Sequence, residues 1–177
     1  MVGFGPEFVG WEMRTTINGG DARVDGVEFN IRQSLKVLPG WGRYFSVFAN
    51  ATKLKLYGSR NAAFTRFVPL SFNYGFTFTK NPITFQLKWN GRGEQQQRTA
   101  VAVLGPDAHV FQEKRTTTDV NLTYQFSRRV SLFANGRNIF HVHYNLLRYG
   151  PQTPAYAKIS STNSYGVQWA FGVKGTF

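Results

Sequence analysis

Hydrophobic and polar positions alternate with a period of two along most of this chain. The clearest stretch is Val68, Leu70, Phe72, Tyr74, Phe76 and Phe78, opposed by Ser71, Asn73, Gly75, Thr77 and Thr79. Tyr165–Phe177 repeats the pattern, with Tyr165, Val167, Trp169, Phe171, Val173 and Phe177 on one face. Gly166, Gln168, Ala170, Gly172, Lys174 and Thr176 take the other. Alternation of this kind predicts β-strands with one apolar face. Further strands are expected near Phe8–Ile17, Arg23–Leu35, Tyr44–Leu56, Ile83–Asn90, Asp119–Phe126 and Val130–Asn138. That makes about eight, all antiparallel by connection length. Phe48 interrupts the polar row of its strand, which leaves the register open there and near Phe133.

Between the strands, short and long connections alternate. Lys80-Asn81-Pro82 and Ser127-Arg128-Arg129 are tight turns, and Val37–Gly42 is a compact one. The Asn18–Asp21 turn is rich in residues that tolerate positive φ. Tyr57–Arg66 reads as a polar loop. The connections Gly91–Thr116 and Ile139–Ser164 read as long loops, the first with no convincing strand. The charges Glu12, Arg14, Glu28, Arg32, Lys88, Asp119, Arg137 and Lys174 all fall opposite the apolar stripes. A cation on a lipid-facing stripe costs roughly 2–4 kcal/mol at the bilayer midplane, so this segregation is what a bilayer demands. The expected fold is all-β, an antiparallel transmembrane β-barrel segment.

Composition narrows the alternatives. No apolar run approaches the roughly 20 residues of a helical span, and mean hydropathy is −0.31. Aromatics reach 16%, which suits a lipid-facing surface with interfacial girdles at Trp11, Tyr44, Trp89, Tyr124 and Trp169. The chain has no cysteine, so disulfides and thiol chemistry are excluded. The net charge of +12 is spread over turns and one strand face, without a basic helix or run, so nucleic acid is not an expected partner. If Phe177 ends at the periplasmic rim, parity puts the two long connections, the Asn18–Asp21 turn and the Tyr57–Arg66 loop outside the cell. The first residues lack the basic and apolar regions of a signal peptide, so the chain is expected to be a fragment.

Three stretches carry a likeness. Asn18-Gly19-Gly20-Asp21-Ala22-Arg23-Val24-Asp25-Gly26-Val27-Glu28-Phe29 resembles the "N-G-x-A-x-x-x-G-v-E-l" strand of TonB-dependent receptors. Phe133-Ala134-Asn135-Gly136-Arg137-Asn138-Ile139-Phe140 is similar to their "Asn-Leu/Ile-Phe" element late in the barrel. Tyr165–Phe177 resembles their aromatic-ended last strand, the signal read by the barrel-assembly machinery. The resemblance implies that residues 1–177 are the C-terminal part of a barrel of about 22 strands, with the N-terminal plug domain absent from this chain. It implies an outer-membrane receptor that imports a scarce small molecule with energy from TonB, the parent's plug relaying contact. Outer-membrane lipid and lipopolysaccharide would surround it in a Gram-negative bacterium.

Candidate chemistry is sparse. His141, His143, Arg148, Tyr149, Tyr156 and Lys158 share the long Ile139–Ser164 connection, where an aromatic and cationic mix suits an anionic siderophore or a glycan. His141-x-His143 could pair on one face, but two imidazoles without a carboxylate or cysteine nearby make a poor metal site. No converging carboxylates, nucleophile or phosphate loop is present, so no enzymatic reaction, cofactor or metal is expected. The main alternative is a self-contained outer-membrane barrel of about eight strands with a structural or adhesin role. Its packed interior would have to absorb five cations (Arg14, Arg32, Lys88, Arg137, Lys174) against three anions (Glu12, Glu28, Asp119). A soluble lipocalin-like carrier fits less well, because its stripes would have to point inward.

Overall fold

The computed structural model describes Gly10 and residues 21–58, 66–98, 104–105 and 108–176. The strand expected at 8–17, with Trp11, Glu12 and Arg14, lies outside them, as does Phe177. Among the described residues eleven strands run β1 Ala22–Ser34, β2 Phe45–Gly58, β3 Leu70–Lys80, β4 Ile83–Arg92, β5 Gln95–Arg98 and β6 His109–Gln112. They continue with β7 Arg115–Gln125, β8 Val130–Arg137, β9 Tyr144–Tyr149, β10 Ile159–Asn163 and β11 Gln168–Gly175. Seven form one antiparallel sheet in the order β1-β2-β3-β4-β7-β8-β11. The strands expected around Arg23, Tyr44, Val68, Ile83, Asp119, Val130 and Tyr165 are these seven. Among the described residues the sheet is open, with β1 and β11 at its two ends.

The remaining four strands correct the reading of Gly91–Thr116 and Ile139–Ser164 as loops. They pair in the order β10-β9-β6-β5, which is the order β11-β8-β7-β4 continued outward. Residues 93–94 separate β4 from β5, 113–114 separate β6 from β7, 138–143 separate β8 from β9, and 164–167 separate β10 from β11. Two long hairpins are thus each broken once near mid-height. The segments hid from periodicity because they are short and bulged: register shifts fall at Gln96/Arg98 and Ile159/Ser161. Backbone bonds stitch the break, with Gly93 N–H donating to Leu70 O at 2.7 Å and Glu113 N–H to Asn145 O at 3.0 Å.

As far as the described residues go, this sheet has no packed core. Among the described residues the buried hydrophobics are Ala108 and Leu147, while Val27, Phe29, Phe171 and Val173 are more than half exposed. Directly paired residues share a face, so the register extends the stripes across strands. Val47, Phe76, Leu87, Val120, Gly136 and Trp169 form one apolar row. On the other face, Asn30, Asn50, Asn73, Asn90 and Thr117 form a polar row. Asn50 and Asn73 exchange side-chain amide bonds at 2.9 and 2.6 Å. Gln86 accepts from Asn121 at 3.1 Å and donates to Thr77 at 3.3 Å.

Phe48 and Phe133, which disturbed the polar face in sequence, have a reason to be there. Phe48 sits opposite Gly75 and Phe133 opposite Gly172, and each ring covers its glycine. Phe72 covers Gly91 and Trp169 covers Gly136 in the same way on the apolar face. A large residue therefore fills the gap that each glycine leaves in the cross-strand pair.

In β1 and β2 the two faces exchange character near the outer end. Up to Glu28, opposite Thr52, the polar face stays polar. Beyond it, Gly26 and Leu54, then Val24 and Leu56, occupy that face. Over the same span Asp25, Lys55, Arg23 and Tyr57 take the formerly apolar face, where Arg23 Nε meets Asp25 Oδ1 at 2.6 Å. These strands are 13 and 14 residues long, more than the roughly 9–11 that cross a bilayer.

The covered glycines differ in what they tolerate. A Cβ on Gly75 would run into the carbonyl oxygen of Leu87, whereas one on Gly172 would meet the Phe133 ring at 2.5 Å. Gly75→Ala should cost roughly 1–3 kcal/mol, in the range of overpacking, and Gly172→Ala less, because a ring can turn and a backbone cannot. The folded fraction of each variant, read from heat-modifiable electrophoretic migration, checks the order.

Candidate ligand-binding site

A hollow with aromatic and charged walls lies in the four-stranded sheet. β6 and β9 pair with His109 opposite Tyr149 and Phe111 opposite Leu147. Phe111 and Tyr149 stack at 4.5 Å between centroids, 20° apart, with the His109 ring edge-on to Phe111. Lys158, just before β10, holds its Nζ 4.6 Å over the Tyr149 ring. The cavity of about 250 Å³ is lined by Phe111, Tyr149, Gly150, Pro151 and Lys158. Gly150 is tied by Thr153 Oγ1, which accepts its N–H at 3.0 Å. A side chain at Gly150 would press on buried Ala108.

Tyr149 Oη donates to Glu94 Oε1 at 2.6 Å. Burial pushes the Tyr149 phenol up from 10.0 to about 12, and the hydrogen bond to Glu94 and that carboxylate's charge push the same way. The site thus offers an aromatic wall, an ammonium held by a π face and a carboxylate engaged by a phenol. These groups suit binding a ligand with a flat apolar face and an anionic edge.

Of the six residues proposed from sequence, the fold brings Tyr149 and Lys158 together here. Arg148 contributes its backbone, donating N–H to Lys158 O at 2.8 Å, while its side chain is exposed. Tyr156 projects from the short 3-10 helix Ala155–Ala157 with 89% exposure. His141 and His143 stand ring-to-ring at 5.1 Å in the 138–143 connection, and His141 Nε2 lies 2.5 Å from Ser164 Oγ. No third His, Cys, Asp or Glu completes a metal-binding group among the described residues. Phe111, Glu94 and His109 were not picked out from the sequence. His109 and Phe111 lie on β6, four residues long and too short for a period to show, and Glu94 lies in the connection just before the equally short β5.

Below the break, Glu28, Arg32, Lys88, Asp119, Arg137 and Lys174 fall on the polar face of the main sheet. Glu28 Oε1 accepts from Thr52 at 3.2 Å, and Lys174 Nζ lies 5.1 Å from the Phe133 centroid. Asp119 accepts from Asn90 Nδ2 at 2.9 Å and from Asn138 N–H at 3.0 Å. Asn138 sits at φ 54. Its side chain accepts from Val142 N–H and donates to Val142 O and Gly166 O. The Asn138-Ile139-Phe140 element is therefore a junction joining β7, β8 and the approach to β11. Arg92 donates to Gln95 at 3.1 Å and Arg115 lies over Tyr144 at 4.9 Å, carrying the polar face upward across the break.

The family model for the TonB dependent receptor-like β-barrel matches residues 2–139, well over half the chain. The chain belongs to this family. Comparison with curated proteins and with solved structures returned no match. Membership agrees with the antiparallel all-β architecture, and the family's role is that of an outer-membrane receptor or transporter.

The raised phenol carries a pH signature. Below pH 10 both folded and unfolded chains keep Tyr149 protonated, and its contribution is fully present. Between 10.0 and about 12 the folded state holds the proton longer, so stability falls as pH rises through that window. Difference ultraviolet titration against Tyr149→Phe should show one phenol ionising near 12, and Glu94→Gln should lower that midpoint.

Proposed function

We propose that this chain forms the C-terminal part of the wall and outer rim of a TonB-energised importer. The polar face borders the lumen and a plug carried by another part of the parent protein. The outer sheet stands outside the cell, where the Phe111–Tyr149–Lys158 cavity contacts a small anionic, flat-faced ligand such as a siderophore or a glycan acid. The observation that carries this reading is the exchange of faces at Gly26–Leu54 in a sheet without a core. An apolar face left uncovered by protein needs lipid, and its replacement by Arg23, Asp25, Lys53 and Lys55 marks where lipid gives way to water.

The orientation follows from this reading. Lipopolysaccharide would meet the outer cations, and the periplasmic end would carry the turns between β1 and β2, β3 and β4, and β7 and β8. The last strand, Gln168–Gly175 in β11 and the residues after it, would be read by the barrel-assembly machinery. Binding and passage, rather than catalysis, are the chemistry proposed.

This chain has no cysteine, so once any cysteine elsewhere in the parent protein is replaced, each introduced one is the sole label and the topology is testable. In the parent protein expressed in its own outer membrane, Lys55→Cys and Lys158→Cys should react with a membrane-impermeant maleimide on intact cells. Lys36→Cys and Arg128→Cys should react only after the outer membrane is permeabilised. The reverse pattern would invert the proposed orientation, and labelling of all four on intact cells would remove the membrane reading itself.

A further inference from the structure

The turns between β1 and β2, β3 and β4, and β7 and β8, with the last residue of β3, hold Lys36, Arg43, Lys80, Arg128 and Arg129 and no carboxylate. The acidic residues among those described lie away from these turns: Asp25 and Glu28 within β1, Asp119 within β7, Asp21 just before β1, and Glu94 and Glu113 in the connections to the four-stranded sheet. Among the described residues the charges at this end of the sheet are all basic.

Two of these cations are gathered by aromatic rings on the apolar side. Lys80 pairs with Ile83, two positions beyond the Phe78–Phe85 pair on the same face. Its Nζ lies 4.5 Å from the Trp41 centroid and 5.3 Å from that of Tyr44. The Arg43 guanidinium lies 5.0 Å from the Tyr44 centroid, and its Nη2 donates to Tyr44 Oη at 3.0 Å. Trp41 stacks on Phe78 at 6.0 Å, and Phe78 also meets Phe45 at 5.1 Å. The short 3-10 helix Gly40–Tyr44 delivers Trp41, Arg43 and Tyr44 to this place. Trp41 is 66% exposed.

Ring faces hold a cation in position without neutralising it. No carboxylate in these turns does so either. Arg43 and Lys80 therefore present uncompensated donors at the edge of an apolar surface made by Phe45, Phe76, Phe78 and Phe85. The chemistry that complements both parts is a phosphodiester joined to acyl chains. Trp and Tyr at this level are where an interfacial head group sits, and charge-assisted bonds from Arg and Lys to phosphate are strong.

We propose that Trp41, Arg43, Tyr44 and Lys80 form a binding site for one anionic phospholipid of the periplasmic leaflet. The phosphate lies between Arg43 and Lys80, and an acyl chain lies along the phenylalanine rows. The site rests on the orientation given under the proposed function, because the same cations outside the cell would face lipid A phosphates.

The full parent protein, purified from its membrane in mild detergent, provides the test. Native mass spectrometry with add-back of phosphatidylglycerol or lipid A reads the bound lipid. Wild type should retain phosphatidylglycerol, and Arg43→Gln with Lys80→Gln should reduce retention roughly thirtyfold, since each cation near an anionic lipid surface contributes separately. Lys80→Arg should retain it, and Arg128→Gln with Arg129→Gln should leave it unchanged. Heat-modifiable migration confirms that each variant is folded. If the double variant fails to fold, Trp41→Leu takes its place and should weaken retention by loosening Lys80. Undiminished retention in the charge variant, or in its Trp41→Leu replacement, overturns the site. Preference for lipid A overturns the leaflet, and cysteine labelling at Lys36 then shows independently whether the orientation failed with it.

Discussion

A single-layer sheet with nothing packed on its apolar face is the constraint from which the rest of this structure follows. Main-chain pairing satisfies the backbone within the sheet, but it does not remove the exposed rows of Phe, Val, Leu and Trp from water. Burying such rows is worth about 25 cal/mol per Å², and no protein layer supplies that burial among the described residues. The bilayer has to. A membrane without water also requires every N–H and C=O to be paired, so the open ends at β1 and β11 call for more wall on either side.

The same constraint explains how the two faces differ in their chemistry. On the lipid side, gaps are filled by rings: Phe72 over Gly91 and Trp169 over Gly136. On the other side, gaps are filled by amides, with Asn50 and Asn73 closing a reciprocal pair and Asp119 taking two donors. Phe48 and Phe133 cross that division because their neighbours Gly75 and Gly172 leave holes that a short polar side chain would not fill. Lys174 over Phe133 shows that a ring on the polar face still has a polar use.

The main sheet was largely legible in the sequence, because a half-buried strand writes its environment into alternate residues. Val27, Phe29 and Ile31 against Glu28, Asn30 and Arg32 needed no partner strand to be read. The outer sheet was not legible. Once both faces meet water or protein, the apolar face no longer has to be continuous, and His109-Val110-Phe111-Gln112 looks like loop. The candidate site depends on pairing between segments far apart in the chain. Tyr149 and Lys158 were visible as an aromatic and a cation in one connection, but Phe111 and Glu94 reach them only through the β6–β9 ladder and a 55-residue separation.

Asn138 shows how one position can link these two regimes. Below it, β8 obeys the lipid's alternation; above it, the chain turns away through 138–143 before resuming as β9. A left-handed residue is needed to break the strand, and asparagine tolerates that conformation better than most. Its backbone N–H then caps Asp119 on the polar face, while its side chain fixes Val142 and Gly166. Replacing it by glycine would keep the conformation and lose the three side-chain bonds. Replacing it by aspartate would keep the acceptor, lose the donors and set a second carboxylate beside Asp119. The family resemblance at this element thus has a physical content: a single asparagine both ends β8 and ties the approaches to β9 and β11.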